Sequence, residues 1–269
     1  MHKQTIQIGF SPCPNDTFIF DALVNNKIDT GNLIFEPILE DVQTLNQWAI
    51  EGKLAVTKLS YGVLPLVQQQ YNLLNSGSAL GRGVGPLLIT NATLQNANVD
   101  ECLIAVPGKN TTAHLLFSLA YPKAKNKIFL RYDEIENFVL DGKGLGVIIH
   151  ENRFTYADKG LIKITDLGDY WEQTTGNPIP LGGIVIKKFM PVDTQKLIDN
   201  LIKQSMEFAF SNYPQLNDYI RSHAQEMSED VMRKHIDLYV NKYSLDLGDD
   251  GRNAVKKLME VYEKQTATS

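Results

Sequence analysis

Apolar and polar positions change their period repeatedly along this chain. Residues 4–10 alternate, as a half-buried strand does. Phe18, Ile19, Phe20, Leu23 and Val24 then recur at helical spacing, behind Asn15, Asp16 and Thr17, which offer helix caps. Residues 33–39 predict a second strand. Asp41 is placed to cap a helix carrying Leu45, Trp48 and Ala49 that stops at Gly52. Residues 54–59 read as a strand, with Ser60 as the cap of the helix beyond it. Residues 71–74 and 86–90 predict two more strands around a glycine-rich turn.

A second block begins near Glu101. Residues 102–106 form a buried-type strand, 107–110 a turn, and Thr111 and Thr112 open a helix through Leu115, Leu116 and Leu119. Strands are expected at 127–132, 145–149 and 161–167, with a short helix at 134–140. Residues 181–186 predict a strand that returns to the first sheet. Four helices follow at 194–212, 214–225, 228–243 and 249–265, with Pro214, Ser228 and Asp249 at their starts. Alternation of strand and helix predicts an α/β fold with parallel, covered sheets. The order suits two lobes: residues 1–90 with 178–269, and an inserted lobe of 91–177, joined by two crossover strands. That is the arrangement of the type II periplasmic-binding-protein fold, here with a helical C-terminal region. A single doubly wound sheet is the competing arrangement.

Composition narrows the function classes. The 269 residues are 43% hydrophobic and 21% charged, ample for a sizeable core. Twenty-six basic against 31 acidic residues leave a net charge of −5, with no basic block, so nucleic acid is not an expected partner. No stretch approaches the roughly 18 apolar residues of a membrane helix, and residues 1–10 are too short and polar for a signal peptide. A cytoplasmic location is therefore expected. Cys13 and Cys102 lie in no metal-ligand spacing, and Cys13, between Pro12 and Pro14, reads as an inert thiol.

Candidate chemistry sits where strands end and helices begin, because helix N-termini offer free N–H groups and partial positive charge to an anion. Four segments qualify: 11–17, 57–61, 109–112 and 150–153. Within them Asn15, Asp16, Lys58, Leu59, Ser60, Thr111, Thr112 and Arg153 are candidate contacts to a small anionic molecule, as is Arg82 inside its glycine run. Each also has a plain structural role available as a cap, turn or surface residue. The run at 81–85 is no dinucleotide fingerprint, since a strand rather than a helix follows it. His150 ends a strand and is the side chain best suited to move a proton near neutral pH. His2, His114, His223 and His235 show no metal spacing with it, and His114 and His235 fall on expected helices as packing or surface residues.

Taken together, these segments resemble the 1,4-dihydroxy-6-naphthoate synthase family of the futalosine route to menaquinone. The resemblance runs through Ser11-Pro12-Cys13-Pro14-Asn15-Asp16-Thr17, Thr57-Lys58-Leu59-Ser60-Tyr61, Leu80-Gly81-Arg82-Gly83-Val84-Gly85-Pro86 and Val106-Pro107-Gly108 with Thr111-Thr112. It continues through Ile148-Ile149-His150-Glu151 with Arg153, Asp166-Leu167-Gly168, Pro180-Leu181-Gly182 and Ser222-His223-Ala224-Gln225-Glu226. It implies the binding-protein fold turned into an enzyme. The implied reaction is a lyase-type fragmentation of cyclic dehypoxanthine futalosine to 1,4-dihydroxy-6-naphthoate, with no metal or redox cofactor. His150 corresponds to the catalytic base, and Lys58, Leu59, Ser60, Thr111 and Thr112 to substrate-contacting stretches. A small-anion binding protein, and the related dehydratase of the same pathway, are the alternatives.

Overall fold

The computed structural model describes residues 3–224 and 228–267. Its strands are β1 (Gln4–Phe10), β2 (Leu33–Leu39), β3 (Val56–Ser60), β4 (Tyr71–Leu73), β5 (Ala79–Gly81), β6 (Leu87–Thr90), β7 (Ile104–Val106), β8 (Lys127–Phe129), β9 (Leu145–Ile148), β10 (Ile162–Asp166) and β11 (Ile179–Lys187). Its helices are α1 (Pro14–Val24), α2 (Val42–Glu51), α3 (Leu64–Val67), α4 (Thr112–Ala120), α5 (Ile135–Leu140), α6 (Asn152–Thr155), α7 (Leu167–Thr175), α8 (Val192–Asn212), α9 (Asp218–His223), α10 (Glu229–Tyr239), α11 (Lys242–Leu245) and α12 (Gly248–Ala267).

The strands form two sheets, which rules out the single doubly wound arrangement. One runs β2-β1-β3-β11-β4, with β5 also paired to β11; the other runs β10-β6-β9-β7-β8. Both sheets are mixed rather than parallel. Strand β1 pairs in parallel with β2 and β3, whereas β11 runs antiparallel to β3, β4 and β5. In the second sheet β7 is parallel to β8 and β9, and β6 is antiparallel to β9 and β10. The reversal follows from the return of the chain: β11 re-enters the first sheet from the opposite end, so it can only pair head to tail with its neighbours.

Local signals explain several elements. Asp41 accepts the backbone N–H groups of Gln43 and Thr44, and Gly52 closes α2 in the left-handed region at φ 69°. Ile6, Ile8 and Phe10 of β1 are buried in a core shared with residues of α1, α8 and α10. One apolar face of each sheet contributes to a core that includes Leu59, Val185, Val106, Leu145 and Trp171, while Ile89, Ala105 and Ile148 of the second sheet pack with Ile135 and Val139 of α5 in a separate one.

Other expectations need correction. Helix α1 starts at Pro14, so Asn15, Asp16 and Thr17 occupy its first turn and do not cap it. Ser60 precedes a 3-10 turn at Tyr61–Val63 without capping it by its side chain. The turn between β4 and β6 contains β5. Strand β6, inside the segment expected in the first lobe, belongs to the second sheet. Pro214 lies outside any helix, and Asn217 caps α9. The helix expected over 228–243 divides into α10 and α11, because Asn241 caps a new turn. Gln225 and Glu226, like His2, lie outside the described residues.

Two close approaches fix the packing, one between the two sheets and one at the end of the β6–β10 pairing. A Cβ on Gly62 would meet the backbone of Thr111 and Thr112 at 2.9 Å, which seats the first-sheet loop against the start of α4. Gly85 and Gly168 face each other so closely that a Cβ on Gly85 would lie 2.3 Å from Gly168.

Candidate active site

A pocket opens between the two sheets. Asn15 and Asp16 of α1, Lys58, Leu59 and Ser60 of β3, and His235 and Tyr239 of α10 line one side. Thr111, Thr112, Ala113, Ile149 and His150 line the other, with Val84 and Pro86 from the crossing segment. Strand ends and helix starts meet here: β3 ends at Ser60 and β9 two residues before His150, and both residues line the pocket.

Asp16 and Lys58 form a buried ion pair. Lys58 Nζ lies 3.0 Å from Asp16 Oδ1, with side chains 7% and 3% exposed, and it donates to the carbonyl of Gly77 at 2.9 Å. Asp16 also accepts from Ser11 N–H, Ser11 Oγ and Asn15 Nδ2 at 3.2, 2.8 and 2.9 Å. The carboxylate is thus well satisfied, and the pair stands as a polar wall. Two of the three ammonium donors are used in these contacts. Ser60 Oγ accepts from Asn46 Nδ2 at 3.0 Å, so its hydroxyl donor is left for the pocket.

The threonines are occupied differently. Thr111 caps α4: its hydroxyl accepts from His114 N–H and donates to Gly108 O at 2.9 Å. Thr112 Oγ1 donates to Leu181 O at 2.7 Å and accepts Gly62 N–H at 3.0 Å, so it ties the second-sheet side to β11. Neither hydroxyl is spare. The first-turn backbone N–H groups of Thr112 and Ala113 have no intrahelical partner, and both residues line the pocket.

His150 sits two residues beyond β9 in the left-handed region, at φ 57°. Its Nδ1 lies 3.5 Å from Cys13 Sγ, and Tyr132 packs against the ring at 4.9 Å between centroids. Nε2 remains for the pocket. Burial pushes the imidazole below its ordinary value, against the opposing pull of Glu151 and Asp16, so it is neutral near pH 7. Burial holds the Cys13 thiol well above its ordinary range, with Glu151 adding to the effect, so the inert-thiol expectation stands for its reactivity.

Sequence reasoning missed His235. It is fully buried, stacks on His150 with centroids 6.1 Å apart at 11°, and donates from Nε2 to Asn15 Oδ1 at 2.9 Å. Burial, with His150 beside it, drives its pKa far down. The available signal was its place in the stripe Met232, His235, Ile236, Tyr239, where a polar ring shares the apolar face of α10.

The two arginines are diverted from the pocket. Arg82 is largely exposed, pairs with Glu172 at 3.3 Å and donates to Gly176 O. Arg153 pairs with Asp166 at 2.7 Å and donates to the carbonyls of Gly83 and Gly85, which staples the crossing segment to the start of α7. Neither arginine lines the pocket, and nearby carboxylates and carbonyls engage both guanidinium groups.

No helix among the described residues is long and apolar enough to cross a membrane. In a solved structure of an Archaeoglobus fulgidus protein the same fold recurs with a TM-score of 0.92, 30% identity, and 99% and 100% of the two chains covered. The periplasmic aliphatic sulphonate binding protein of Escherichia coli superposes with a TM-score of 0.67 over 98% and 88% of the chains at 10% identity, which places the fold among the periplasmic-binding-protein-like folds. A curated relative from Thermus thermophilus, named 1,4-dihydroxy-6-naphthoate synthase, is 44% identical over 97% of this chain and 94% of its own. One of the same name from Streptomyces coelicolor is 40% identical over 96% and 93%. The family model described as menaquinone biosynthesis matches residues 6–264, and the chain therefore belongs to that menaquinone-biosynthesis family.

Proposed function

We infer that this chain is a 1,4-dihydroxy-6-naphthoate synthase working in the cytoplasm, a lyase that converts cyclic dehypoxanthine futalosine to 1,4-dihydroxy-6-naphthoate. Identity of 44% and 40% to enzymes of that name supports the reaction. The observation that carries the mechanism is a neutral histidine at the wall of an inter-sheet pocket whose opposite wall holds a buried ammonium.

In this reading Nδ1–H of His150 donates to the Cys13 sulfur, which leaves the Nε2 lone pair to take the proton beside the substrate carbonyl. The carbon–carbon bond to the sugar-derived fragment then breaks, the fragment leaves carrying a proton, and the ring becomes the aromatic diol, with aromatisation as the driving force. Lys58 balances the developing enolate charge from a water-poor wall, and the N–H groups of Thr112 and Ala113 hold the substrate carboxylate. The two sheets with their helices act as the two lobes, and closure of one on the other orients the ring and excludes water.

Incubation with synthetic cyclic dehypoxanthine futalosine, with mass detection of the naphthoate, tests the assignment. Absence of naphthoate with intact substrate would leave a binding protein. Turnover only of the precursor taken by the pathway's dehydratase would assign the chain to that step instead.

A further inference from the structure

Around the His150 nitrogen that meets Cys13, Nδ1, lies a cluster of possible metal ligands. Cys13 Sγ, a ring nitrogen of His150 and a carboxylate oxygen of Glu151 all lie within 4.8 Å of one another. Glu151 is 7% exposed, yet its Oε2 is buried with no hydrogen-bond partner. His235 Nδ1, 3.7 Å from that oxygen, is likewise buried and unpartnered. Two unsatisfied acceptors at the same spot are costly in a folded core, and both are acceptors that a cation would satisfy.

We propose that Cys13, His150 and Glu151 form a site for a divalent cation of the zinc class, whose occupancy switches off His150. The spacing fits. Zinc bonds of about 2.3 Å to sulfur and 2.0–2.1 Å to nitrogen at a tetrahedral angle put the two donors about 3.5 Å apart. Cys13 Sγ and His150 Nδ1 stand 3.5 Å apart already. One thiolate and one carboxylate bring the buried ion to zero net charge. Burial keeps the free thiol protonated, but a coordinating cation deprotonates it outright. The fourth position stays open to water beside the unpartnered His235 Nδ1.

Inhibition follows from the imidazole's two nitrogens, and this part rests on the reading of His150 as base. A neutral ring bound through Nδ1 carries its proton on Nε2, so the nitrogen facing the pocket donates and no longer accepts. The histidine stays in place but loses its function as a base.

The experiment titrates chelator-stripped full-length protein with zinc chloride by calorimetry and with cobalt chloride by absorption. One equivalent should bind, with a thiolate-to-cobalt charge-transfer band. Cys102→Ser should bind as wild type does. Cys13→Ser and the isosteric Glu151→Gln should each weaken zinc by more than the roughly 10–100-fold that outer-shell changes cost, and Cys13→Ser should lose the band. One equivalent of zinc should abolish turnover, and chelator should restore it. Absence of stoichiometric binding, or equal binding in both variants, overturns the site while leaving the metal-free turnover assay untouched. Stoichiometric binding with undiminished turnover overturns the inhibition and removes His150 as base.

Discussion

Replacing His150 by Asn separates chemistry from architecture at one position. The backbone at φ 57° is a region that Asn enters more readily than most residues with a Cβ. The short amide also reaches where Nδ1 meets Cys13. Stability should therefore hold within about 1 kcal/mol, a melting shift of about 2–4 °C for a chain of this size. The proton acceptor is what disappears. A positioned general base contributes about 10²–10⁴-fold, or about 2.7–5.4 kcal/mol of activation free energy. The loss should fall on kcat with KM nearly unchanged, because the walls formed by Lys58 and α4 are intact. His150→Ala should lose as much activity and also melt lower, since it leaves a cavity beneath Tyr132 and keeps the strained backbone. Steady-state kinetics on cyclic dehypoxanthine futalosine, beside thermal unfolding, reads both quantities. An Asn variant within threefold of wild-type kcat would remove His150 from the role of base, and a selective rise in KM would make it a binding residue.

Lys58→Met should cost about 3–5 kcal/mol, since it leaves Asp16 charged and buried, while Asp16→Asn added to it should recover much of the loss; additive single effects in urea unfolding would refute the coupling. Burial lowers both His150 and His235, so the unfolded chain takes up protons that the folded state refuses. Stability should be full above the ordinary histidine value of 6.5 and fall as pH drops through it, by at most about 2.7 kcal/mol per pH unit for two such groups. His235→Gln should halve that slope in urea titrations between pH 7.5 and 5.5, and an unchanged slope would refute the assignment. Thr112→Val leaves Gly62 N–H and Leu181 O unpaired and should cost about 1–3 kcal/mol per group, read as a lower melting point with unaltered secondary structure. Arg82→Ala should change turnover and stability little, because an exposed ion pair is worth about 0–1 kcal/mol; a large fall in kcat would return Arg82 to the site.

Most of the polar residues lining the pocket were legible in the sequence. Asn15, Asp16, Lys58, Ser60, Thr111, Thr112 and His150 converge on one pocket because each follows a strand end or opens a helix, a local pattern with a fixed spatial meaning in α/β folds. Their individual roles were less legible. Thr111 is a cap and Thr112 a tie between the two sides, and the tie depends on a carbonyl and an amide far along the chain. His235 was read as a packing or surface residue because α10 shows only an apolar stripe, and nothing in that stripe tells which element it meets.

Local sequence by itself determined the existence and type of the long elements: Asp41, the apolar stripe and Gly52 suffice for α2, and alternation suffices for β1. Tertiary structure alone decided strand direction, the placement of β6 in the second sheet, and the partners of charged groups. Cys13 and His150 are 137 positions apart, and Asn15 and His235 are 220 apart, yet each pair touches. Arg82 and Arg153 carried the right charge for an anion but found Glu172 and Asp166 first. Helix caps and periodicity act over a few residues, so the sequence displays them. Hydrogen bonds and ion pairs form with whatever group folding brings within about 3 Å, and that neighbour is a property of the packed chain.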